Sequence, residues 1–405
     1  MNSLTPPGYN KHLEGLRGLC ALVVFIAHFF GFGFFGMGEG PGIKIINELE
    51  FAHAAVLIFF IISGYVIGIS HIHENLKLLN LKAYLKKRLI RLYPIYLFSL
   101  LLCALLEPSS FSLPQTIGHL FFLQEFVVKT LNINSPLWSL SYEFVYYLLF
   151  VIIWSLRGYS KNLYIYICLI VLVGVLFIGH NNNALRSLFI GWIFWLAGLY
   201  LARLQKKSVN SDSMPFISYI LIILAISHLQ SGGFYLMSLH LTFAGTDYIP
   251  PTDLVFIPIC LLLMLNITGR HFKYELWLKI TAIAIPALNI AGLVYFKHNI
   301  RQNEDWMYGT VLFCLSMALM WLKTNYRYFE KLTQVGRISF AIYVFHFPIC
   351  CFLNTWLSQI FSRPTLLISG FIITIAATFS LSYAAEIIVQ PRIRNLFFNK
   401  RQVTT

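Results

Sequence analysis

The chain has 405 residues, of which 58% are hydrophobic and only 11% are charged, and its formal net charge at pH 7 is +14. The hydrophobic residues fall into blocks of about twenty, which is long enough to cross a bilayer core. A soluble domain is excluded, because its core would need many helices that are apolar on every side.

The apolar blocks predict an all-α membrane protein, a polytopic helical bundle. Twelve spans are predicted near residues 16–35, 51–72, 89–107, 137–156, 162–179, 185–202, 215–232, 252–269, 276–296, 305–322, 338–360 and 364–388. We therefore expect about 10–12 transmembrane helices in a single domain over residues 1–405, with a cytoplasmic tail from about residue 389.

Basic residues concentrate on one side of these spans. If the N-terminus is cytoplasmic, 24 Lys and Arg residues lie in cytoplasmic segments and 6 lie elsewhere, so the positive-inside rule predicts that both termini are cytoplasmic. Membrane topology and anionic lipid headgroups account for the positive charge, and no nucleic-acid partner is predicted.

Cysteine and histidine patterns predict neither a disulfide framework nor a metal site. All seven cysteines lie inside apolar blocks, where small core side chains are common. Among the twelve histidines, only the HIH run at 71–73 resembles a cluster, and no partner of metal-site spacing lies near it in the sequence.

Two ionisable residues lie on one face of the first predicted span. Arg17 and His28 are eleven residues apart, which is three helical turns plus roughly 20°. Their separation along the helix axis is about 16 Å, which places Arg17 near the cytoplasmic surface and His28 past the midplane. One extended ligand could therefore contact both residues.

The fourth predicted span carries the one acidic residue that lies deep in a span, Glu143. Counted from the predicted outer ends of their spans, His28 and Glu143 are about 9 Å and about 8 Å deep, and so level with each other. A carboxylate at this level would orient a histidine base. The alternative is a buried pair that only holds two helices together.

A cationic run precedes and enters the third predicted span. The stretch KAYLKKRLIRLYP contains Lys86, Lys87, Arg88 and Arg91, and the two arginines lie on one helical face. This run is a positive-inside cluster, or else Arg88, Arg91 and Arg17 bind phosphates on the cytoplasmic side. The spacing alone leaves both interpretations open.

Five segments in order resemble the acyltransferase-3 family of integral-membrane acyltransferases. The first segment contains the pattern that marks the family's first helix, which is a basic residue, here Arg17, then ten residues and a histidine, here His28. The segments are LEGLRGLCALVVFIAH at 13–28, FFIISGYVIG at 59–68, RLIRLYP at 88–94, SPLWSLSYEFVYYLL at 135–149 and GRISFAIYVFHFPI at 336–349. Glu14 stands where the family usually has aspartate, and twelve spans exceed the roughly ten of its core. The two additional segments, within 215–322, would be an insertion or short re-entrant pieces.

The resemblance implies a membrane enzyme that moves an acyl group, usually acetyl, from cytoplasmic acyl-CoA to a hydroxyl of a glycan or a lipid-linked glycan. Acetyl-CoA would be a donor substrate, and no permanently bound cofactor is implied. A bacterial cytoplasmic (inner) membrane protein acting on lipopolysaccharide O-antigen or exopolysaccharide is expected. The resemblance also assigns site residues: His28 and Glu143 as catalytic residues, Arg17, Arg88 and Arg91 as donor-binding residues, and Trp138, Ser141, Ser63 and His346 as substrate-binding residues.

Two features of the sequence each fit two interpretations. Trp138, Tyr146 and Tyr147 fit either stacking on a sugar or an interfacial aromatic belt, and we assign Tyr147 to the belt. Buried ionisable residues and paired cytoplasmic termini are also typical of a secondary transporter for a small anionic or acylated solute. The halves of the chain show no obvious mutual similarity, which favours the enzyme.

Overall fold

The structure is a computed structural model and is almost entirely helical. It describes residues 10–35, 51–71, 76–156, 163–178, 182–206, 213–239, 247–296, 305–325, 327–360 and 365–398. The last two residues of the HIH run and the terminal residues 1–9 and 399–405 lie outside these ranges.

The secondary structure follows the predicted order of apolar segments. The α-helices are α1 (Lys11–Gly31), α2 (Phe51–His71), α3 (Leu78–Leu106), α4 (Leu113–Leu120), α5 (Trp138–Leu156), α6 (Leu163–Phe177), α7 (Asn183–Leu201), α8 (Phe216–His228), α9 (Ser231–Ser238), α10 (Ile257–Thr268), α11 (Glu275–Phe296), α12 (Asp305–Ala318), α13 (Arg327–Lys331), α14 (Thr333–Arg337), α15 (Ser339–Leu357), α16 (Thr365–Tyr383) and α17 (Gln390–Phe398). Short 3-10 helices cover Pro108–Ser110, Asn132–Leu137 and Pro251–Phe256, and a π-helix over Ala384–Val389 joins α16 to α17. Strand β1 (Ser213–Met214) pairs antiparallel with β2 (Thr324–Asn325), with Ser213 opposite Asn325.

The predicted class, a polytopic helical membrane bundle, is confirmed. Nine helices in the described ranges are long and apolar enough to cross a membrane. A tenth predicted span is the pair α8 and α9, which is bent by 51°. The other two predicted spans are shorter apolar helices, Tyr166–Val175 and Trp306–Ala318. The bent pair and the second short helix both lie within 215–322, where the sequence left the alternatives open.

Polar side chains cap the first turn of several of these helices. The carboxamide oxygen of Asn10 accepts hydrogen bonds from the backbone N–H groups of His12 and Leu13 at the start of α1, at 2.9 and 3.2 Å. Asn182 caps α7 in the same way, by accepting from the N–H of Leu185 at 3.3 Å. Such caps satisfy backbone donors that have no partner inside a helix.

The described chain divides into two compact units. Unit one comprises the described residues within Met1–Cys20, Glu48–His73 and Asn162–Thr333. Unit two comprises those within Ala21–Asn47, Glu74–Lys161 and Gln334–Thr405. Helix α1 therefore contributes residues up to Cys20 to unit one and its remaining residues to unit two.

Unit one contains a close helix pair that depends on two glycines. A Cβ added to Gly64 of α2 would lie 1.9 Å from the carbonyl oxygen of Trp195 in α7, and one added to Gly198 would lie 1.9 Å from that of Ile61. At each glycine, the backbone of the neighbouring helix therefore occupies the space where a side chain would lie. Close approach of this kind is typical of small residues at helix contacts in membranes.

Two ion pairs within unit one involve buried carboxylates. Arg186, which is fully buried at the start of α7, donates from Nε to Asp247 Oδ2 at 2.8 Å and from Nη2 to Oδ1 at 2.9 Å. His53 in α2 pairs with Asp253 at 2.5 Å. Both pairs connect the segment that precedes α10 to an earlier helix, α7 in one case and α2 in the other.

Unit two is held together by polar contacts between α3 and its neighbours. Ser99 Oγ donates to the carbonyl of Val344 in α15 at 2.8 Å, and Asn134 Nδ2 donates to Ser99 Oγ at 2.9 Å. At the other end of α3, Gln390 Nε2 donates to the carbonyl of Ile90. These contacts fix the heights at which α3, α5 and α15 meet.

Candidate functional site

Two histidines from distant parts of the chain meet in unit two. Nδ1 of His28 in α1 lies 2.8 Å from Nε2 of His346 in α15. The two rings are nearly coplanar and meet edge to edge, with centroids 5.1 Å apart and 13° between their planes. His346 is fully buried and His28 is half-buried, so His28 is the more accessible of the two.

A backbone carbonyl fixes the hydrogens of this pair. Nδ1 of His346 lies 3.0 Å from the carbonyl oxygen of Ile342, which can only accept, so Nδ1 carries the hydrogen. Nε2 of neutral His346 is then an acceptor, and Nδ1–H of His28 donates to it. Neutral His28 therefore keeps its lone pair on Nε2, which is the atom available to take a proton.

Aromatic rings surround the histidine pair. Phe32 and Phe347 meet the His28 ring edge-on, with centroids 5.5 and 5.8 Å away. The ring of Phe25 lies 6.1 Å from that of His346. Walls of this kind keep water away from the imidazoles and strengthen the polar interactions between them.

The expected pair of His28 and Glu143 does not form. The carboxylate of Glu143 accepts a hydrogen bond of 2.5 Å from the hydroxyl of Tyr147, one turn later in α5. His28 is instead bonded to His346. Two residues that are equally far from the predicted ends of their spans are level only if those spans end at the same height. Here the 3-10 helix Asn132–Leu137 precedes α5, so the predicted end of that span is not a common reference height.

Hydrogen bonds to α3 set the true level of Glu143. Tyr84 Oη donates to the carbonyl of Tyr147 at 3.0 Å, whereas the later residue Ser99 contacts Asn134, before α5. The two helices are therefore antiparallel. Arg88, one turn after Tyr84, is level with Glu143, one turn before Tyr147. Glu143 thus lies at the height of the predicted donor-binding arginine.

The guanidinium of Arg88 lies against two aromatic faces. Its central carbon is 5.7 Å from the ring centroid of Tyr84 and 5.5 Å from that of Tyr147. Its Nε is buried and has no hydrogen-bond partner in the described part of the chain. An arginine held by its faces retains N–H donors for an anionic ligand.

The other predicted arginines occupy different surroundings. Arg91, one turn after Arg88, is exposed, and its carbonyl accepts from Gln390 Nε2 at 3.3 Å. Arg17 lies in unit one and forms an ion pair of 3.3 Å with Glu14. Helix α1 is continuous through Arg17 and His28, as the eleven-residue spacing predicts.

The predicted substrate-binding residues divide between the units. In unit two, Trp138 meets the Tyr142 ring at 5.5 Å, and Ser141 Oγ donates to the carbonyl of Trp138 at 2.6 Å. In unit one, Ser63 Oγ accepts from the indole N–H of Trp195 at 3.3 Å. Both serine hydroxyls are thus engaged within the protein.

Sequence reasoning missed the two tyrosines beside Arg88. Tyr84 is not among the predicted site residues, and the assignment of Tyr147 to an interfacial belt is wrong, because its side chain is 3% exposed and contacts Glu143 and Arg88. A signal did exist. Tyr84 precedes Arg88 by four residues and Glu143 precedes Tyr147 by four, which is the spacing of contacting side chains on a helix.

Comparison with known proteins identifies the family. The acyltransferase domain of the acyltransferase-3 family matches residues 10–267. O-acetyltransferase OatA of Staphylococcus aureus is 23% identical over 398 residues, covering 85% of this chain and 60% of that protein. Acyltransferase MdmB of Streptomyces mycarofaciens is 29% identical over 152 residues, or 34% of this chain and 37% of that protein.

The remaining comparisons add one relative. Protein 2 in picA locus of Rhizobium radiobacter is 29% identical over 170 residues, covering 35% of this chain and 81% of that protein. No solved structure matches the chain. The family match covers more than half of the sequence and includes four of the five segments that carry the resemblance. The chain therefore belongs to the acyltransferase-3 family of membrane acyltransferases.

Proposed function

We propose that this protein moves an acetyl group from cytoplasmic acetyl-CoA to a hydroxyl of a cell-surface glycan, such as lipopolysaccharide O-antigen or exopolysaccharide. The family and the named O-acetyltransferase relative support acetyl transfer and not solute transport. This chain spans only 60% of that relative and 37% of MdmB, so donor, acceptor and reaction are proposals for it. The bacterial inner membrane, with both termini cytoplasmic, is the proposed location.

The observation that carries the proposal is the hydrogen-bonded pair of His28 and His346. His28 Nε2 accepts the proton of the acceptor hydroxyl, while Nδ1–H stays bonded to His346. The oxygen then attacks the thioester carbonyl, the C–S bond breaks, and the proton passes from His28 to the departing thiolate. The products are the acetyl ester and free CoA, and the histidine returns to its neutral form.

Arg88 and Arg91 are the proposed contacts for the phosphates of CoA. The unpaired Nε of Arg88 and the exposure of Arg91 support this assignment, because arginine binds phosphate through several N–H groups. Ser99, which contacts Val344 near His346, lies eleven residues after Arg88, about 16 Å further along α3. That distance suits an extended pantetheine arm. Arg17 is also proposed to bind the donor, and it is likewise eleven residues from His28 along α1.

Acceptor contacts are proposed from the family's motif positions. Trp138, Ser141 and Ser63 match motif positions of the family, and aromatic faces commonly stack on sugar rings. The hydroxyls of the two serines already have partners within the protein. Trp138 is therefore the first of these residues to test with an acceptor glycan.

A comparison of surface polysaccharide from cells with and without the gene tests the function. We expect NMR acetyl signals that require the gene and disappear with His28→Ala. His12→Gln, a change of another histidine in α1, is the matched control and should retain them. Normal acetylation by correctly inserted His28→Ala protein would contradict the catalytic assignment, and an unchanged acetyl-CoA affinity in Arg88→Ala/Arg91→Ala would contradict the donor site.

A further inference from the structure

We propose that Glu143 is a positioning residue for the donor-binding Arg88 and not the partner of the base His28. The inference rests on the proposed donor site. It assigns Glu143, Tyr147 and Tyr84 to one cluster, which we call the arginine cradle, whose ligand is a phosphate of the acyl-CoA donor. No residue of the cradle takes or gives a proton in the transfer.

The cradle is built from two pairs of residues, each spaced by one helical turn. Tyr84 and Arg88 lie on α3, and Glu143 and Tyr147 lie on α5. The hydrogen bond from Tyr84 Oη to the Tyr147 carbonyl joins the helices at 3.0 Å. Both Arg88 and Glu143 are near enough to the hydroxyl of Tyr84 to act on it electrostatically.

Glu143 stabilises Arg88 through the ring of Tyr147. The phenol donates to the carboxylate at 2.5 Å, and a phenol in such a charge-assisted bond carries more electron density on its ring. The guanidinium lies against that ring, where a more negative face attracts it more strongly. The carboxylate also offsets the cost of removing a cation from water.

This indirect arrangement leaves Arg88 able to bind a ligand. A carboxylate in direct fork-like contact with a guanidinium occupies two of its five N–H donors. In the described part of the chain, the contacts to the Arg88 guanidinium come from the two aromatic faces. Glu143 thus compensates the charge of Arg88 without occupying its Nε, whose N–H remains unpaired.

The heights of the residues separate this role from a role at the base. Glu143 is level with Arg88, and the contact of Ser99 with Val344 near His346 is about 16 Å further along α3. The partner of His28 is His346. A carboxylate one turn from Tyr147 therefore acts at the donor end of the bundle.

The test compares two donors on the purified full-length protein. Acetyl-CoA carries phosphates and S-acetyl-pantetheine carries none. With acetyl-CoA, we expect Glu143→Gln and Tyr147→Phe to raise KM roughly threefold to thirtyfold, with kcat changed by less than about threefold. With S-acetyl-pantetheine, both variants should match the wild type. Tyr93→Phe, which removes another tyrosine hydroxyl from α3, is the control and should retain the wild-type KM for acetyl-CoA.

A double-mutant cycle tests the link to Arg88. Adding Glu143→Gln to Arg88→Ala should change the acetyl-CoA KM by less than about twofold, because the residue that Glu143 positions is already absent. Tyr147→Phe keeps the ring and the fold, so it tests the hydrogen bond if Glu143→Gln is poorly expressed.

Other outcomes would overturn the inference. If Glu143→Gln lowered kcat with both donors and left KM unchanged, Glu143 would act at the base. If Arg88→Ala weakened acetyl-CoA binding and neither cradle variant did, the donor site would stand and the cradle would fail. If Arg88→Ala itself left acetyl-CoA binding unchanged, the proposed donor site would fail first.

Discussion

Nδ1 of His28 and Nε2 of His346 lie 2.8 Å apart, although 318 residues separate them in the sequence. The bond directs the lone pair of His28 to Nε2, because His346 is itself fixed by the Ile342 carbonyl. The catalytic proposal therefore depends on a residue in the last third of the chain.

His346→Leu removes the acceptor that orients His28, so the wrong tautomer and ring orientation become populated. We expect kcat for acetyl transfer to fall roughly tenfold to a thousandfold, with the acetyl-CoA KM within about threefold of wild type. His346→Gln, whose amide oxygen can accept from His28, should recover part of the loss. Steady-state kinetics on both variants checks this, and a wild-type kcat for His346→Leu would contradict it.

Helices α2 and α7 should not tolerate a side chain at Gly198. A Cβ there would lie 1.9 Å from the Ile61 carbonyl, so the helices must separate. We expect Gly198→Ala to cost about 2–4 kcal/mol of stability. Gly174→Ala in α6 is the matched control, because a Cβ at Gly174 would meet nothing within 4 Å. Thermal unfolding in detergent measures both, and equal melting temperatures would contradict the packing argument.

Removing only one partner of the buried ion pair between Arg186 and Asp247 should strongly lower the stability of the folded protein. The two side chains are 0% and 3% exposed, so Asp247→Asn leaves a buried cation without its counter-charge. We expect a loss of about 3–5 kcal/mol. The double variant Arg186→Met/Asp247→Asn should be more stable than the single one, since no unpaired charge remains. Denaturation of both variants checks the order, and the reverse order would contradict it.

His119, outside the predicted membrane spans, should make stability depend on pH. Burial lowers the pKa of its imidazole below the usual value, with a smaller opposing effect from the Gln115 carbonyl. The unfolded chain then binds a proton more readily than the folded one, so stability is full above about pH 6.5 and falls as the pH drops toward the folded pKa. The melting temperature should fall less for His119→Gln than for the wild type when the pH is lowered from about 7.5 to about 5.5, which is roughly one unit on either side of pH 6.5. Parallel losses would contradict this.

The helices and the main cationic and imidazole groups could be predicted from the sequence, for physical reasons. Apolar blocks of bilayer length must be helical in lipid, because their backbone groups have no other partners there. Arg17 and His28 were placed on one continuous helix, which the structure confirms. Arg88 and Arg91 stand out in the sequence because they share one helical face of a cationic run and match a motif of the family.

The partners of these groups could not be predicted, because height along a bundle depends on how helices pack. Counting from predicted span ends paired Glu143 with His28. The hydrogen bonds of Tyr84 and Ser99 instead place it beside Arg88. The glycine contact of α2 with α7 likewise gives a packing reason for SGYVIG that the motif alone did not reveal.

The sequence by itself determined a polytopic helical membrane protein with a cationic end and a histidine about 16 Å along its first helix, because both follow from local spacing and the cost of charge in lipid. Tertiary structure decided that His346 orients His28 and that Glu143 faces Tyr147 beside Arg88. Those choices depend on contacts between helices far apart in the chain, which no local pattern encodes.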